Sequence, residues 1–149
     1  MRCHYAILLG LVIFSTALGI ARADDDFLPA DEAFRFSTQV SGGQFELHWA
    51  IAEGYALYRD RIHLQVVTPS AVSAQIRIWP ASITHQDEFF GPQEIYRNSL
   101  LIKAPLVCST GVKQVTIEVK YQGCADKGLC YPPETKQVAV NLPEGACGA

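Results

Sequence analysis

The sequence Val115-Thr-Ile-Glu-Val-Lys-Tyr121 leads directly into Gln-Gly-Cys124-Ala-Asp-Lys-Gly-Leu-Cys130-Tyr-Pro-Pro-Glu134. The first seven residues alternate between apolar and polar side chains, as a strand with one buried face does. The second part contains two glycines and a Pro132-Pro133 pair, residue types that favour turns and interrupt regular structure. The stretch therefore predicts a strand followed by a turn-like loop, in which the two cysteines close a small, accessible disulfide ring.

The same two-residue period recurs along almost the whole chain. Turn residues such as Glu53-Gly54 and Gly91-Pro92 separate the alternating segments, and no segment has the apolar spacing of a long amphipathic helix. Seven short strands without helices favour an all-β, antiparallel sandwich with an immunoglobulin-like arrangement and a single domain, although the Cys-Trp-Cys core of antibody domains is absent. The predicted strands are Phe34–Val40, Phe45–Ile51, Ile62–Val66, Val72–Ile78, Leu100–Ala104, Val115–Tyr121 and Val138–Leu142.

The first 23 residues have the pattern of a secretory signal peptide. A short polar start is followed by an apolar run, Ala6 to Ile20, which is too short to span a bilayer comfortably. Ala21-Arg22-Ala23 then supplies small residues at the spacing of a cleavage site. We expect a signal peptide over residues 1–23 and one exported domain over residues 24–149, with an uncleaved membrane anchor as the alternative.

Charge argues against nucleic acid as a partner. The full chain has 12 Lys and Arg residues against 15 Asp and Glu residues, and its formal net charge is −3. Removal of the signal peptide takes away Arg2 and Arg22 and makes the balance more acidic. Proteins that bind nucleic acid need the opposite balance, because much of their affinity comes from neutralising phosphates.

Four cysteines remain once Cys3 leaves with the signal peptide, and they allow three pairings in an oxidising compartment. A ring from Cys124 to Cys130 would stabilise the fold by about 2.4 kcal/mol on the loop-entropy estimate. A bridge from Cys108 to Cys147 would contribute about 4 kcal/mol on the same estimate. The short ring is the better candidate for a bond that opens and closes, although its spacing alone also fits a structural staple.

Five blocks of sequence carry a family resemblance. They are Phe27–Asp31, Gly54–Arg59, Asp87–Gly91, Glu94–Arg97 and Tyr121–Thr135. In this order they resemble the N-terminal periplasmic domain of the thiol:disulfide interchange protein DsbD, over about residues 26–141. The resemblance implies an immunoglobulin-like domain that performs thiol-disulfide exchange in the periplasm, as a protein-disulfide reductase or the shuttle domain of one.

The resemblance also implies partners. In that family a thioredoxin-like domain reduces this domain, which then reduces disulfide isomerases and the thioredoxin-like proteins of cytochrome c maturation. Full-length members continue into a membrane-embedded electron-transfer domain, whereas this chain stops at Ala149. We therefore expect a fragment whose membrane partner lies in cis, or a separate shuttle that meets that partner in trans. A redox-active cysteine pair is implied, with no bound cofactor and no metal.

Carried over by position, the resemblance assigns roles to individual residues. Cys130 would form the mixed disulfide with partner proteins, and Cys124 would resolve it. Tyr58 matches a tyrosine close to the sulfurs, although packing at a sheet edge is an equally plain interpretation. A cap loop with Phe89 over the sulfurs would shield the disulfide and move aside when a partner docks, and it comprises Asp87, Glu88, Phe89, Phe90 and Gly91.

The residues around the cysteines lead to further expectations. Tyr131 is expected to shape the docking surface, and Ala56 stands where some relatives carry another tyrosine. Lys127 is the cation nearest in sequence, while Asp126 and Glu134 oppose ionisation of a thiol. Cys130 is therefore expected to be a poor nucleophile until a partner docks.

Two other functions remain open at this level. An exported immunoglobulin-like binding module would use the short disulfide only to fix a recognition loop, and would resist mild reductant or unfold when the bond is lost. Metal binding through Cys124, Cys130 and a histidine needs more ligands than the nearby sequence supplies. The histidines of the expected mature chain are dispersed among strands and loops, at positions 48, 63 and 85.

Overall fold

The structure, a computed structural model, describes residues 27–88, 90–109 and 111–147, and its regular structure is almost entirely β. A four-residue helix, α1 (Ala30–Ala33), and a 3-10 helix (Arg59–Arg61) are the helical elements of this part of the chain. The all-β prediction is confirmed. The strands are β1 (Phe34–Ser41), β2 (Gln44–Ile51), β3 (Tyr55–Tyr58), β4 (His63–Thr68), β5 (Val72–Ala74), β6 (Ile83–Asp87), β7 (Gly91–Tyr96), β8 (Ser99–Cys108), β9 (Gln114–Tyr121), β10 (Gly123–Ala125) and β11 (Glu134–Asn141).

Two sheets form the sandwich and a third sheet lies at one end of it. The orders are β1-β2-β8-β5 and β11-β9-β4 for the sandwich, and β10-β3-β7-β6 for the third sheet, with antiparallel pairing throughout. The alternating apolar residues of β2, β8 and β9 point inward and form the core. The fully buried members of these strands are Phe45, Leu47, Trp49, Leu100, Ile102, Ala104, Val115, Ile117, Val119 and Tyr121.

Trp49 and Tyr121 join the two sheets of the sandwich through ring contacts. Their centroids lie 5.6 Å apart in an edge-to-face arrangement, and Phe36 packs against both rings. The Tyr121 hydroxyl is buried without a hydrogen-bond partner among the described residues. Burial, with the nearby carboxylates of Glu134 and Asp31 adding to it, raises the pKa of Tyr121 to about 12.

Replacing Tyr121 with Phe is expected to leave the free energy of unfolding at pH 7 unchanged or to raise it by up to about 1 kcal/mol. The reason is that the substitution removes a buried hydroxyl that lacks a partner among the described residues and keeps the ring that packs on Trp49. Urea unfolding of the chain and of the Tyr121→Phe variant measures the difference. A loss of more than about 2 kcal/mol would show that the hydroxyl makes a stabilising contact.

The same variant makes a prediction about alkaline pH. The folded pKa of Tyr121, about 12, lies above the value of about 10 for an unfolded tyrosine, so the unfolded state releases its proton first. The contribution of this group to stability is therefore complete below pH 10 and is lost as the pH rises toward 12. The Tyr121→Phe variant should lose less stability between pH 10 and 11.5 than the unmodified chain, and equal losses would contradict the assignment.

All seven predicted strands are present, but sequence periodicity missed β3, β6, β7 and β10. Two of these are buried at every position, β3 over Tyr55–Tyr58 and β10 over Gly123–Ala125. A strand covered on both faces shows no alternation, so a two-residue period cannot reveal it. The turn-like loop predicted around the two cysteines was wrong at its start, because Cys124 lies in a strand, β10.

Two further boundaries differ from the prediction. The strand predicted over Val72–Ile78 ends at Ala74, because its pairing with β8 stops there, and Ile78 is 80% exposed. Gly91-Pro92, predicted as a turn, begins β7 and pairs with β6. Gly91 has a φ of 72°, so it closes the tight turn between these strands with a backbone conformation that costs glycine little.

The sequence left the pairing of the four cysteines open, and the structure contains two disulfides. Cys108 at the end of β8 is bonded to Cys147, and Cys124 is bonded to Cys130. The two bridges lie at opposite ends of the sandwich, since β9 begins near the first and ends near the second, about 25 Å away at the rise of a strand. The predicted signal peptide lies outside the described residues. None of the described helices has the length and apolarity needed to cross a membrane.

Candidate functional site

The Cys124–Cys130 disulfide closes a short hairpin at the edge of the third sheet. Cys124 lies in the middle of β10 and pairs with Ala56 of β3. Cys130 lies directly opposite Cys124 as an isolated bridge, and their Cα atoms are 4.0 Å apart. The hairpin turns at Gly128, whose φ of 96° suits a residue without a side chain.

Backbone hydrogen bonds hold this hairpin on both sides of the sulfur bridge. The Ala125 amide donates to the Leu129 carbonyl at 2.7 Å, and the Gly128 amide donates to the Ala125 carbonyl at 3.0 Å. Beyond the bridge, the Tyr131 amide donates to the Gly123 carbonyl at 3.0 Å. None of these bonds uses a sulfur atom, so the hairpin has a frame that does not depend on the disulfide.

Contacts from the turn tip anchor the hairpin to the rest of the fold. The Asp126 amide donates to the Gly54 carbonyl at 2.8 Å. The Asp126 carboxylate accepts two hydrogen bonds from the Arg97 guanidinium, at 2.8 and 2.9 Å. A two-bond pair between Arg and a carboxylate fixes orientation as well as distance. The hairpin is therefore tied, through Arg97, to the segment that directly follows β7.

The two sulfur-bearing residues differ in exposure. Cys124 is 7% exposed and packs with Ala56, Tyr58 and Ile95, whereas Cys130 is half-buried beside that cluster. Both cysteines line an open cavity of about 430 Å³. The sequence predicted an accessible ring. Only Cys130 is accessible, because side chains of the neighbouring strands β3 and β7 cover Cys124.

Tyr58 and Asp87 form the polar wall of this cavity. The Tyr58 hydroxyl donates a hydrogen bond to the Asp87 carboxylate, and both side chains are buried. Burial, together with this hydrogen bond and the negative charge of Asp87, raises the pKa of Tyr58 far above its usual value. The phenol thus stays protonated and remains a donor. The sequence allowed Tyr58 to lie near the sulfurs or to pack at a sheet edge, and in the structure it lies near the sulfurs, in contact with Cys124.

The predicted cap loop is the turn between β6 and β7. Asp87 and Glu88 line the cavity, and the other Asp87 carboxylate oxygen accepts a hydrogen bond from the Phe90 amide at 2.9 Å. The Phe90 ring meets the Tyr58 ring edge to face, with centroids 6.3 Å apart. Gly91 ends the turn. Phe89, expected over the sulfurs, lies outside the described residues.

Tyr131, which was predicted to shape the docking surface, does not line the cavity. Its ring packs edge to face on Phe34 and tilted against Tyr55, and its hydroxyl donates to the Leu28 carbonyl at 2.5 Å. Side chains alternate across an extended segment, so the residue after the half-exposed Cys130 points into the core. Tyr131 is a core residue that holds the base of the hairpin.

Some cavity residues escaped the sequence interpretation, among them His85 and Arg97. His85 in β6 and Arg97 after β7 line the same cavity as the cysteines, although neither is near them in the sequence. Arg97 could have been found from the sequence, because it belongs to the Glu94–Arg97 block that follows the cap loop. His85 could not, because it is one of several exposed residues in β6 and belongs to no motif. Within the described residues, no group of three His, Cys, Asp or Glu side chains is arranged to hold a metal ion.

Comparison with known proteins places this geometry in a family. A family model described as "Thiol:disulfide interchange protein DsbD, N-terminal" matches residues 24–142. The DsbD protein of Citrobacter koseri is 47% identical over 116 residues, which cover 77% of this chain and 19% of that protein. The DsbD protein of Yersinia pestis is 36% identical over 135 residues, which cover 91% of this chain and 22% of that protein. The chain spans about a fifth of the length of these curated relatives.

Solved structures with a similar fold come from Neisseria meningitidis. The reduced DsbD N-terminal domain superimposes with a TM-score of 0.64 at 25% identity, and the match covers 78% of this chain and 91% of that one. The complex between the DsbD N-terminal and PilB N-terminal domains contains a match with a TM-score of 0.61 at 25% identity, covering 77% and 88%. The immunoglobulin-like arrangement of the sandwich is confirmed. The chain belongs to the family of DsbD N-terminal domains.

Proposed function

We propose that this chain is a periplasmic thiol-disulfide shuttle that works through Cys124 and Cys130. It accepts two electrons from a thioredoxin-like reductant and passes them to disulfides of periplasmic thioredoxin-fold proteins, including disulfide isomerases and proteins of cytochrome c maturation. The observation that carries the proposal is a disulfide in a polar cavity with one cysteine covered and the other reachable. The electrons would come from a membrane-embedded domain in cis or in trans.

Exchange in this site is two successive sulfur displacements. In the reduced domain, the Cys130 thiolate attacks a partner disulfide, forms a mixed disulfide and releases one partner sulfur as a thiolate. The Cys124 thiolate then attacks Cys130, closes the ring and releases the second partner sulfur. The partner disulfide gains two electrons and takes up two protons, while the thiols of Cys124 and Cys130 are oxidised to a disulfide. A reductant dithiol reverses the sequence by attacking Cys130.

Burial supports this division of roles. An incoming sulfur must approach in line with the bond that breaks, and a residue 7% exposed behind Tyr58 and Ile95 gives a protein partner little room. Cys130 is half-buried at the cavity rim and leaves that approach open. Cys124 lies close enough to displace the partner afterwards without movement of the sheet.

The frame around the ring supports reversible opening. Loss of a seven-residue ring costs about 2.4 kcal/mol on the loop-entropy estimate, which is less than the stability of a typical domain. The hydrogen bonds of the hairpin and the Arg97–Asp126 pair remain when the sulfurs separate. The second bridge, Cys108–Cys147, continues to cross-link the strands at the other end.

Mild reductant is expected to open Cys124–Cys130 while the chain stays folded. The experiment equilibrates the chain with glutathione mixtures, alkylates free thiols and identifies each modified cysteine by mass spectrometry, with circular dichroism recorded on the same samples. We expect alkylation at Cys124 and Cys130 with an unchanged far-ultraviolet spectrum. A bridge that resists reduction, or a fold that collapses when the bridge opens, would contradict the proposal and favour a binding module with a structural disulfide.

A further inference from the structure

Arg97 reaches across one strand to the hairpin that carries the disulfide. Tyr96 at the end of β7 pairs with Leu57 of β3. The same register places the next residue, Arg97, beside Ala56, which pairs with Cys124 on its other side. Arg97 therefore begins two strand spacings, about 10 Å, from the strand that bears Cys124, a distance that a long side chain can largely span.

Hydrogen bonds hold the guanidinium of Arg97 at the hairpin. It donates to the Asp126 carboxylate at 2.8 and 2.9 Å and to the Tyr55 carbonyl at 3.4 Å. Asp126 directly follows β10, two residues after Cys124, and side chains at this spacing along a strand share a face. Arg97, Asp126 and both cysteines line the same cavity. A positive charge and a negative charge are thus fixed together beside the sulfurs.

The charges of this pair act on the interior of the cavity. Tyr58 packs with Cys124, and its pKa is raised mainly by burial and then by the hydrogen bond to Asp87. Within this balance the charge of Arg97 lowers the pKa of Tyr58, whereas the charge of Asp126 raises it. A phenol and a thiol both become negative when they lose a proton, so a thiol in the same cavity responds to the two charges with the same signs.

The shuttle reaction makes this response important. Cys130 attacks a partner disulfide only as a thiolate, and a nearby cation favours that form over the thiol. Asp126 opposes the cation, because it lies within hydrogen-bond distance of it and carries the opposite charge. The Asp126 side chain is 48% exposed and that of Arg97 is 29% exposed, so solvent weakens both effects without removing them.

We propose that Arg97 supplies the positive charge that stabilises the thiolate of Cys130, and that Asp126 holds this effect in check. The thiol proton passes to solvent, and the thiolate remains in the field of the guanidinium. Because the Asp126 carboxylate cancels part of that field, Cys130 is a weaker nucleophile than Arg97 alone would make it. The proposal rests on the shuttle function and identifies the cation that serves it.

The experiment measures how fast iodoacetamide alkylates Cys130 in the full chain with Cys124→Ala, so that one thiol of the pair titrates alone. Mass spectrometry follows the alkylated residue at pH 7 and low ionic strength. Asp126→Asn should raise the rate about two to five times, and Arg97→Gln should lower it by a similar factor. Arg97→Lys should keep most of the original rate, because it keeps the charge.

The pH dependence of the same rate gives a second measurement. The pH at which alkylation reaches half its maximum should fall in Asp126→Asn and rise in Arg97→Gln, because a thiol beside more positive charge ionises at lower pH. Other titratable or charged side chains line the cavity, and they are Tyr58 from β3, His85 and Asp87 from β6, Glu88 from the following turn and Lys127 from the hairpin. They are the same in every variant, so a difference between variants reports the exchanged charge.

The opposite signs separate charge from structure. Both substitutions weaken the same two hydrogen bonds, so a role limited to holding the hairpin predicts a change in the same direction for both. The Arg97→Gln, Asp126→Asn double variant should return toward the original rate, because the two charges disappear together. Glu46→Gln is the charge-matched control. It removes a carboxylate that pairs with Lys103 at 3.7 Å outside the cavity, and it should leave the rate unchanged.

The outcomes separate this proposal from the function beneath it. If Arg97→Gln and Asp126→Asn change the rate in the same direction, the pair has a structural role and the proposal is wrong, while the shuttle stands. If neither substitution changes the rate, the charges do not reach the sulfur and the proposal is again wrong. If the Cys124–Cys130 bridge of the unmodified chain resists mild reductant, the shuttle function itself fails, and the role of the Cys130 thiolate with it.

Discussion

The Cys124→Ala variant is expected to capture periplasmic thioredoxin-fold proteins in stable mixed disulfides, and the Cys130→Ala variant is expected to capture none. The half-buried Cys130 meets the partner, and without Cys124 no internal thiol remains nearby to release it. Both variants should lose essentially all turnover with protein disulfides. The measurement incubates each reduced variant with periplasmic extract, separates the products without reductant and identifies the captured proteins by mass spectrometry.

The double variant, Cys124→Ala with Cys130→Ala, is the matched control for this experiment. It keeps both cysteines of the Cys108–Cys147 bridge, so anything that it captures comes from sulfur atoms outside the Cys124–Cys130 hairpin. Equal capture by the two single variants would remove the distinction between attacking and resolving cysteines. Stronger capture by Cys130→Ala would reverse the roles proposed from burial.

Replacing Gly123 with Ala is expected to lower the free energy of unfolding by about 3 kcal/mol. A Cβ atom at Gly123 would lie 2.4 Å from the Phe34 ring and 2.6 Å from the Ala56 carbonyl oxygen. The ring is fully buried and the carbonyl belongs to the neighbouring strand, so neither can move without cost. Since β10 carries Cys124, its displacement should also disturb the cavity. Urea unfolding measures the loss of stability.

Gly128 provides a matched control in the same hairpin. A Cβ atom there meets open space, so Gly128→Ala should cost only about 1 to 2 kcal/mol, from the left-handed backbone alone. Adding Phe34→Leu to Gly123→Ala removes the ring atoms that clash, and the two losses should then be less than additive. A Gly123→Ala variant as stable as the unmodified chain would show that the strands can separate freely.

Local patterns predicted a large part of this molecule. Alternation along Phe45–Ile51 and Val115–Tyr121 identified core strands because each has one buried face and one solvated face. The same rule failed for Tyr55–Tyr58, which is buried on both faces. It also extended the strand after Val72 too far, because alternation continues along the chain after the pairing with β8 has stopped at Ala74.

The candidate site was likewise predictable only where it depends on residues close together in the sequence. The cysteine ring was predictable because its two residues are six positions apart and the turn between them is a property of adjacent residues. The Tyr58–Asp87 hydrogen bond joins residues 29 positions apart, and the Arg97–Asp126 pair has the same separation. Such contacts depend on how strands are ordered within a sheet, which a periodic pattern does not encode.

By itself, the sequence determined the β composition of the chain and the position of a closely spaced cysteine pair, and it predicted an export signal, because each follows from neighbouring residues. Tertiary structure alone decided which of the two cysteines is accessible. Cys124 is covered by β3 and β7, whereas Cys130 lies across the hairpin at the cavity rim. Two chemically identical side chains thereby differ in accessibility, because strands distant in sequence cover one and leave the other accessible.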